Sequence, residues 1–348
     1  MPAELLLADY RPRSALVVPE HPIARPRYPV IDAHNHLGVS FGQAEPALPA
    51  AELLARMDAL AIEVIVDLDG GWGEDVLDRH MAHYRAAAPE RFVFFGGVPW
   101  QAWPTRPRDF GAYAADRLEA QVERGARGLK VWKNLGLTLR DPEGRLVPVD
   151  DERLDPLWEH AGALGVPVLI HIADPVAFFQ PLDAENERYE ELAGNPDWHF
   201  YGPEFPPFDA LVEGLARVVE RHPRTSFIGA HVGCYPENLA WVGALLDRCP
   251  NLSVDIAARI AELGRQPYTA SAFFLRYADR ILFGTDILPD AAWLAIHYRF
   301  LETWDEHFDY VPQGLQPGQG RWRIYGLGLP EEVLRKVYRE NAVRVLGL

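Results

Sequence analysis

Short apolar runs and amphipathic stretches alternate along most of this chain. β-Branched or aromatic runs predict strands beginning near residues 30, 62, 92, 126, 166, 226, 252 and 280. Between them, apolar residues at helical spacing predict helices over 50–60, 75–87, 110–124, 154–164, 210–221, 237–248, 271–277 and 294–306, with a terminal helix over 330–346. Eight strands alternating with helices predict an α/β protein built as a (β/α)8 TIM barrel. Residues 1–29, rich in Pro and Arg (Pro19, Pro22, Pro26, Pro29), read as an extended N-terminal arm, and 30–348 as a single barrel domain with an extra C-terminal helix. A long loop over 174–208 follows the fifth strand, and its Trp198, Phe200, Tyr201 and Phe205 argue for order. No internal repeat or linker marks off a second domain.

Composition narrows the class. The 348 residues are 48% hydrophobic and 24% charged, enough to bury a full core. A formal net charge of -16 speaks against a nucleic-acid or anionic-membrane partner, because no basic stripe is present to displace counterions from phosphates. Two cysteines, Cys234 and Cys249, cannot build a disulfide framework or a thiolate zinc cluster. The first twenty residues lack a signal-peptide pattern and no apolar run reaches membrane-span length, so a cytoplasmic protein is expected. There is no Gly-x-Ser-x-Gly elbow, no phosphate-binding Gly-Lys-Ser/Thr loop and no dinucleotide fingerprint.

The candidate chemistry lies at the strand ends. The first apolar run closes on His34-Asn35-His36, and alternation along a strand points both imidazoles to one side, with Cα atoms roughly 7 Å apart. An isolated His-x-His can equally be a pair of core histidines. Here, however, His171 ends the fifth predicted strand, His231 the sixth and Asp286 the eighth. A barrel delivers those ends to one mouth, where active sites of this fold lie. Four imidazoles and a carboxylate form an N/O set suited to Zn²⁺, Mn²⁺ or Fe²⁺.

The ordered series His34-Asn35-His36, His171, His231, Asp286, with the closing stretch Val337-Tyr338-Arg339-Glu340-Asn341-Ala342, resembles the amidohydrolase superfamily. The likeness is to its amidohydrolase-related branch, which includes aminocarboxymuconate-semialdehyde decarboxylase, resorcylate-type decarboxylases and pyrone-dicarboxylate lactonase. The resemblance implies one divalent metal ion, zinc ahead of manganese or iron, held by His34, His36, His171 and Asp286. His231 would stand beside the metal-bound water or the substrate. Asp286 would shuttle the water's proton, and His231 would donate a hydrogen bond that polarises the scissile carbonyl. Lys130, on the predicted fourth strand, is where other branches carry a carboxylated lysine bridging two metals; a two-metal centre is the lesser expectation. Lys130 is otherwise a candidate for a substrate carboxylate. The likeness also implies a homodimer or higher homo-oligomer.

Other candidates come from position alone. Lys133 and Arg259 sit past strand ends where a cation can bind a substrate carboxylate. Asp174 can hold an imaginable neighbour of the metal, the ring of His171. Trp72, with Trp132, Phe178 and Phe179, can line an apolar pocket, and His199 and Glu204 lie on the long loop that can close over it. His80, His83, His160, His222, His297 and His307 fall on predicted helices or their ends and read as surface or packing residues. The expected activity is hydrolysis of an amide, ester or lactone bond in a small molecule. The alternative is non-oxidative decarboxylation, or hydration, of an aromatic or unsaturated carboxylic acid, favoured if Lys133 and Arg259 face the metal. A barrel that binds without turnover is the third reading.

Overall fold

A computed structural model of the chain describes residues 5, 6, 10, 13–39 and 44–348. Parts of the expected arm (1–4, 7–9, 11 and 12) and of the loop after the first strand (40–43) lie outside the described residues. Parallel strands follow in chain order: β1 (Val30–Asn35), β2 (Ile62–Asp67), β3 (Phe92–Phe94), β4 (Gly96–Gly97), β5 (Leu129–Val131), β6 (Val168–Ile170), β7 (Phe227–Gly229), β8 (Leu252–Asp255) and β9 (Ile281–Leu282). β1 to β3 are paired in one run and β4 to β9 in another.

Two joints turn these runs into a closed barrel. The Phe95 N–H donates to Asp67 O at 3.0 Å and the Gly96 N–H to Gly128 O at 2.9 Å, so β3 and β4 are halves of one strand that changes partner at Phe95. The Ala33 N–H donates to Phe283 O and the Asp286 N–H to His34 O, each at 2.9 Å, which ties β9 to β1. With β3 and β4 counted together, the eight strands of the predicted (β/α)8 barrel are all present. Helix Phe110–Arg124 repairs the first joint: buried Gln121 accepts from the Gly97 N–H at 2.8 Å and donates to Gly97 O at 3.0 Å. Glycine is required here because a Cβ on Gly96 would lie 1.8 Å from Gln121 Oε1, and one on Gly97 2.6 Å from Gly70 O.

Alternation sorts the strand residues into two layers. Ile31, Ala33, Val64, Val66, Val93, Phe95, Leu169, Ile228 and Leu282 fill the barrel interior. Their neighbours Val30, Ile62, Ile65, Phe92 and Val168 join the larger core between sheet and helices. The terminal helix adds Ala342 and Leu346 to the interior cluster. Asn341 donates to Ala278 O and Ile281 O at 2.7 and 2.8 Å, and Arg127, just before β5, donates to Gly347 O. That helix therefore seals the mouth where strands begin, leaving the rim where they end for chemistry.

Several helices differ from expectation at their ends. The helix expected over 294–306 runs Ala291–Glu302, because the Asp290 carboxylate accepts from the Ala292 and Trp293 N–H groups and caps it early. At its far end the chain leaves the helical path at Thr303, whose carbonyl accepts from Gly328 N–H. The expected helix 75–87 is regular over Glu74–His80 and widens over Met81–Arg85. A short helix, Ile260–Arg265, is additional. The long loop is ordered, with helical turns at Val176–Phe179, Tyr189–Gly194 and Pro196–Trp198. Among the described residues no helix is long and apolar enough to cross a membrane.

Candidate metal centre and active site

Each expected ligand leaves the rim at the end of its strand, and three of the four imidazoles are oriented from behind. His34 Nδ1 bonds Asp255 Oδ2 at 2.9 Å, His36 Nδ1 bonds Asp69 Oδ1 at 2.7 Å, and His231 Nδ1 bonds the Ala257 carbonyl at 2.8 Å. With the Nδ1 proton so engaged, each Nε2 presents a lone pair to the common space. Such anchored imidazoles are the usual environment of a metal ligand. Donor atoms of His34, His231 and Asp286 lie within 4.8 Å of one another. His36 Nε2 is 3.5 Å from Asp286 Oδ1, and His34 Nε2 is 3.9 Å from the same atom. The His171 ring packs edge-on against His231 with centroids 4.4 Å apart.

Polar atoms left without partners mark the space between these groups. Asp286 Oδ1 and both nitrogens of His171 are buried with no hydrogen bond among the described residues. His171 Nε2 lies 3.5 Å from Asp174 Oδ1, long for a hydrogen bond. Burying such groups unpaired is costly, and a cation bound by N and O donors would satisfy them together. The donor set therefore fits a divalent metal. The expected division between ligands and neighbour is less sharp: His231, read as standing beside the metal, is in the tightest donor group, while His171 meets it through the His231 ring.

The backbone explains how His231 arrives there. His231 and Val232, past β7, have φ of 55° and 60°; Ala258, past β8, has 54°; Asp286, past β9, has 64°. Left-handed backbone in non-glycine residues costs of order 1–3 kcal/mol each and gathers where side chains must be aimed. Burial, followed by the nearby cationic groups, pushes the His34 and His231 imidazoles well below their ordinary range, and it lowers His171 to about 4. They stand neutral, as ligation requires. The carbonyl-polarising role expected for His231 needs a donor on the cavity side, whereas its proton is engaged with Ala257.

The remaining candidates separate cleanly. Lys130 is fully buried, its Nζ 3.4 Å from His34 Nε2 and 4.5 Å from the Trp132 ring centroid, and burial lowers it to about 8. It is not among the side chains that line the cavity. Lys133 does line it but is ion-paired to Asp174. Burial opposes the charge on Asp174, yet Lys133 and His171 hold its carboxyl far below the usual range. Trp72 stacks on Trp132 at 4.2 Å, and Trp132 on His36 at 5.2 Å, giving an indole wall beside the imidazoles. Arg259 is 6% exposed and lines the cavity; among the described residues it bonds only the Ala258 carbonyl and keeps a buried Nε without a hydrogen-bond partner.

Sequence reasoning missed the residues behind the ligands. Asp69 also accepts from Gly38 N–H at 2.7 Å, and Asp67 accepts from His80 Nδ1 at 2.6 Å. His80, read as packing, is indeed buried, but it completes a line of polar contacts toward His36. Asp255 and Asp67 carried one sign of this, a carboxylate closing a β-branched strand at the rim.

A closed parallel barrel with imidazoles and a carboxylate converging at its C-terminal rim defines a metal-dependent (β/α)8 enzyme. The sequence profile of the amidohydrolase family matches residues 31–348, and the chain belongs to that family, whose members depend on metal. No curated protein sequence matches significantly. Solved structures share the fold. A 2,6-dihydroxybenzoate decarboxylase from Rhizobium is 19% identical with a TM-score of 0.57, covering 92% of this chain and 99% of that one. A dihydroxybenzoic acid decarboxylase from Polaromonas sp. JS666, with bound manganese and the inhibitor 2-nitroresorcinol, is 18% identical with a TM-score of 0.57, covering 92% and 97%. A 5-carboxyvanillate decarboxylase from Sphingomonas paucimobilis is 15% identical with a TM-score of 0.51, covering 92% and 99%.

Proposed function

We propose that this chain is a metal-dependent carboxy-lyase that removes CO₂, without oxidation, from an aromatic carboxylic acid. This takes the alternative above in preference to hydrolysis of an amide, ester or lactone bond. The observation that carries it is Arg259, a buried guanidinium in the cavity of the imidazoles, with no carboxylate partner among the described residues. Asp286, Glu191 and Glu237 act on it only through space, without an ion pair, so its planar fork stays open to bind a carboxylate directly. A neutral ester or amide leaves that fork without an ionic partner; an aromatic acid fills it and sets its ring against the Trp72–Trp132 wall. That the similar barrels include decarboxylases of aromatic acids agrees with this reading, though at their identity they speak for the fold.

His34, His36, His171 and Asp286 would hold the cation, with His231 next to them, and a bound cation supplies Lewis acidity toward the oxygens of the acid. Arg259 orients the carboxylate. Burial raises the Asp286 carboxyl above its ordinary range in the metal-free chain; beside a bound cation it would act as a carboxylate that relays a proton from solvent. Asp286 gives that proton to the ring carbon bearing the carboxylate. The bond from that carbon to the carboxylate then breaks, its electron pair restores the ring, CO₂ departs, and Asp286 regains a proton from solvent.

The test is CO₂ release from a panel of hydroxybenzoates by metal-loaded protein, run beside nitrophenyl esters and lactones. Release that stops on chelation, with Arg259→Met raising KM for the acid tenfold or more, is the expected result. Ester or lactone hydrolysis outpacing CO₂ release from every acid overturns the proposal.

A further inference from the structure

The cavity holds more polar chemistry than a single-ring acid uses. Its volume is about 880 Å³, in the upper part of the roughly 300–1,000 Å³ range of small-molecule sites. Besides the groups at the strand ends, it is lined by Arg188 from the long loop and by Gln319 from the Gly/Pro-rich loop before the terminal helix. Arg188 is 1% exposed, and its Nε has no hydrogen-bond partner among the described residues; Gln319 Oε1 is likewise buried without one among them. One is a donor awaiting an acceptor, the other an acceptor awaiting a donor. Neither belongs to the donor set of the candidate metal centre.

Charge decides what kind of group can meet them. The Arg188 guanidinium is already balanced: Nη1 bonds Glu191 at 2.6 Å, and Nη2 bonds the buried Glu262 carboxylate. Two carboxylates surround one cation, so a further anion here would meet repulsion without a free counter-charge. Arg259 makes no direct ion pair among the described residues, Glu191, Glu237 and Asp286 acting on it only through space. The cavity thus has one pole, at the strand ends, that takes an anion and another, on the loops, that takes a neutral group able both to donate and to accept. The Trp72, Trp132 and Phe178 side chains add apolar lining to the same cavity.

We infer that the Arg188–Gln319 side of the cavity is a second binding subsite, and that the substrate is a mono-acid whose ring carries, away from the carboxylate, a neutral hydrogen-bonding substituent such as a carboxamide or hydroxyl. This rests on the carboxy-lyase reading for the identity of the anionic end. An unmet buried donor or acceptor penalises a ligand that lacks the matching group, which is why the subsite discriminates.

The experiment measures binding of benzoate, 4-carbamoylbenzoate and benzene-1,4-dicarboxylate to the metal-loaded full chain, by calorimetry and by quenching of the cavity tryptophans. 4-Carbamoylbenzoate is expected to bind about tenfold tighter than benzoate, the dicarboxylate no tighter than benzoate. In Gln319→Leu, a change on a half-exposed loop position, the carbamoyl advantage is expected to shrink to about threefold or less. Equal affinity for benzoate and 4-carbamoylbenzoate, tightest binding by the dicarboxylate, or an advantage untouched in a folded Gln319→Leu protein overturns the subsite alone. Absence of binding by all three acids overturns it together with the carboxy-lyase reading.

Discussion

Thr285 donates twice to Asp32, through its backbone N–H at 3.0 Å and its hydroxyl at 2.6 Å, each to a different carboxylate oxygen. Asp32 lies in β1, two residues before His34; Thr285 directly precedes Asp286. Asn35 Nδ2 adds a bond to Asp32 at 2.8 Å and another to Ile287 O at 2.6 Å. One buried carboxylate therefore stitches the first and last strands together between two candidate ligands.

Thr285→Val removes a donor from that carboxylate while conserving shape. An unfolding free energy lower by about 1–3 kcal/mol is expected, read by urea titration, with a weaker hold on the metal because Asp286 is less firmly aimed.

Burial raises Asp32 to about 7 from its ordinary 3.8, in spite of the donors around it. The folded protein therefore keeps a proton that the unfolded chain has released between about pH 4 and pH 7. A folded-state value raised in an acid makes stability fall as pH rises through that window and level off above it. The penalty at the top is on the order of 4 kcal/mol. Asp32→Asn is expected to flatten this decline, measured as the difference between wild-type and variant denaturation midpoints at pH 5 and pH 8 on metal-free protein.

The contacts behind the imidazoles give a third expectation. Asp69→Asn and Asp255→Asn leave His36 and His34 in place but loosen their orientation and lower their basicity. Metal affinity is expected to drop about 10- to 100-fold in each, measured by competition with a chromophoric chelator. Full affinity in both variants would mean that neither imidazole is a ligand.

Gln121→Leu deletes the two bonds that stand in for the sheet at Gly97. A loss of about 2–3 kcal/mol is expected from the unpaired Gly97 groups, visible in urea unfolding. Gly97→Ala should be at least as damaging, since the new Cβ meets a backbone carbonyl that cannot rotate away.

Chelation of the metal-loaded enzyme should abolish turnover and lower the melting temperature. At a free metal concentration 100 times its Kd, the bound ion contributes about 2.7 kcal/mol of stability that the stripped protein lacks. Readdition of Zn²⁺ or Mn²⁺ restoring both properties checks the assignment; a melting temperature indifferent to metal contradicts it.

The barrel was legible in the order of apolar runs, because alternation within strands and 3.6-residue spacing within helices are local properties of a chain. The same locality gave His34, His36, His171, His231 and Asp286 as a candidate set, each closing a run whose end the fold must bring to one rim. What stayed hidden depended on distances between segments far apart in sequence. Asp255 lies 221 positions from His34 and touches it; Gln121 completes a strand from a helix. Lys133 and Arg259 looked alike as cations past strand ends, yet Lys133 is ion-paired to Asp174 while Arg259 makes no direct ion pair among the described residues, a difference decided by which carboxylates packing brings into contact. Pattern along the chain determined the architecture and the kinds of donor atoms at its mouth. Only the folded chain decided which of them face one another, which are held from behind and which charge is left unmet, because those depend on through-space contacts that no sequence spacing encodes.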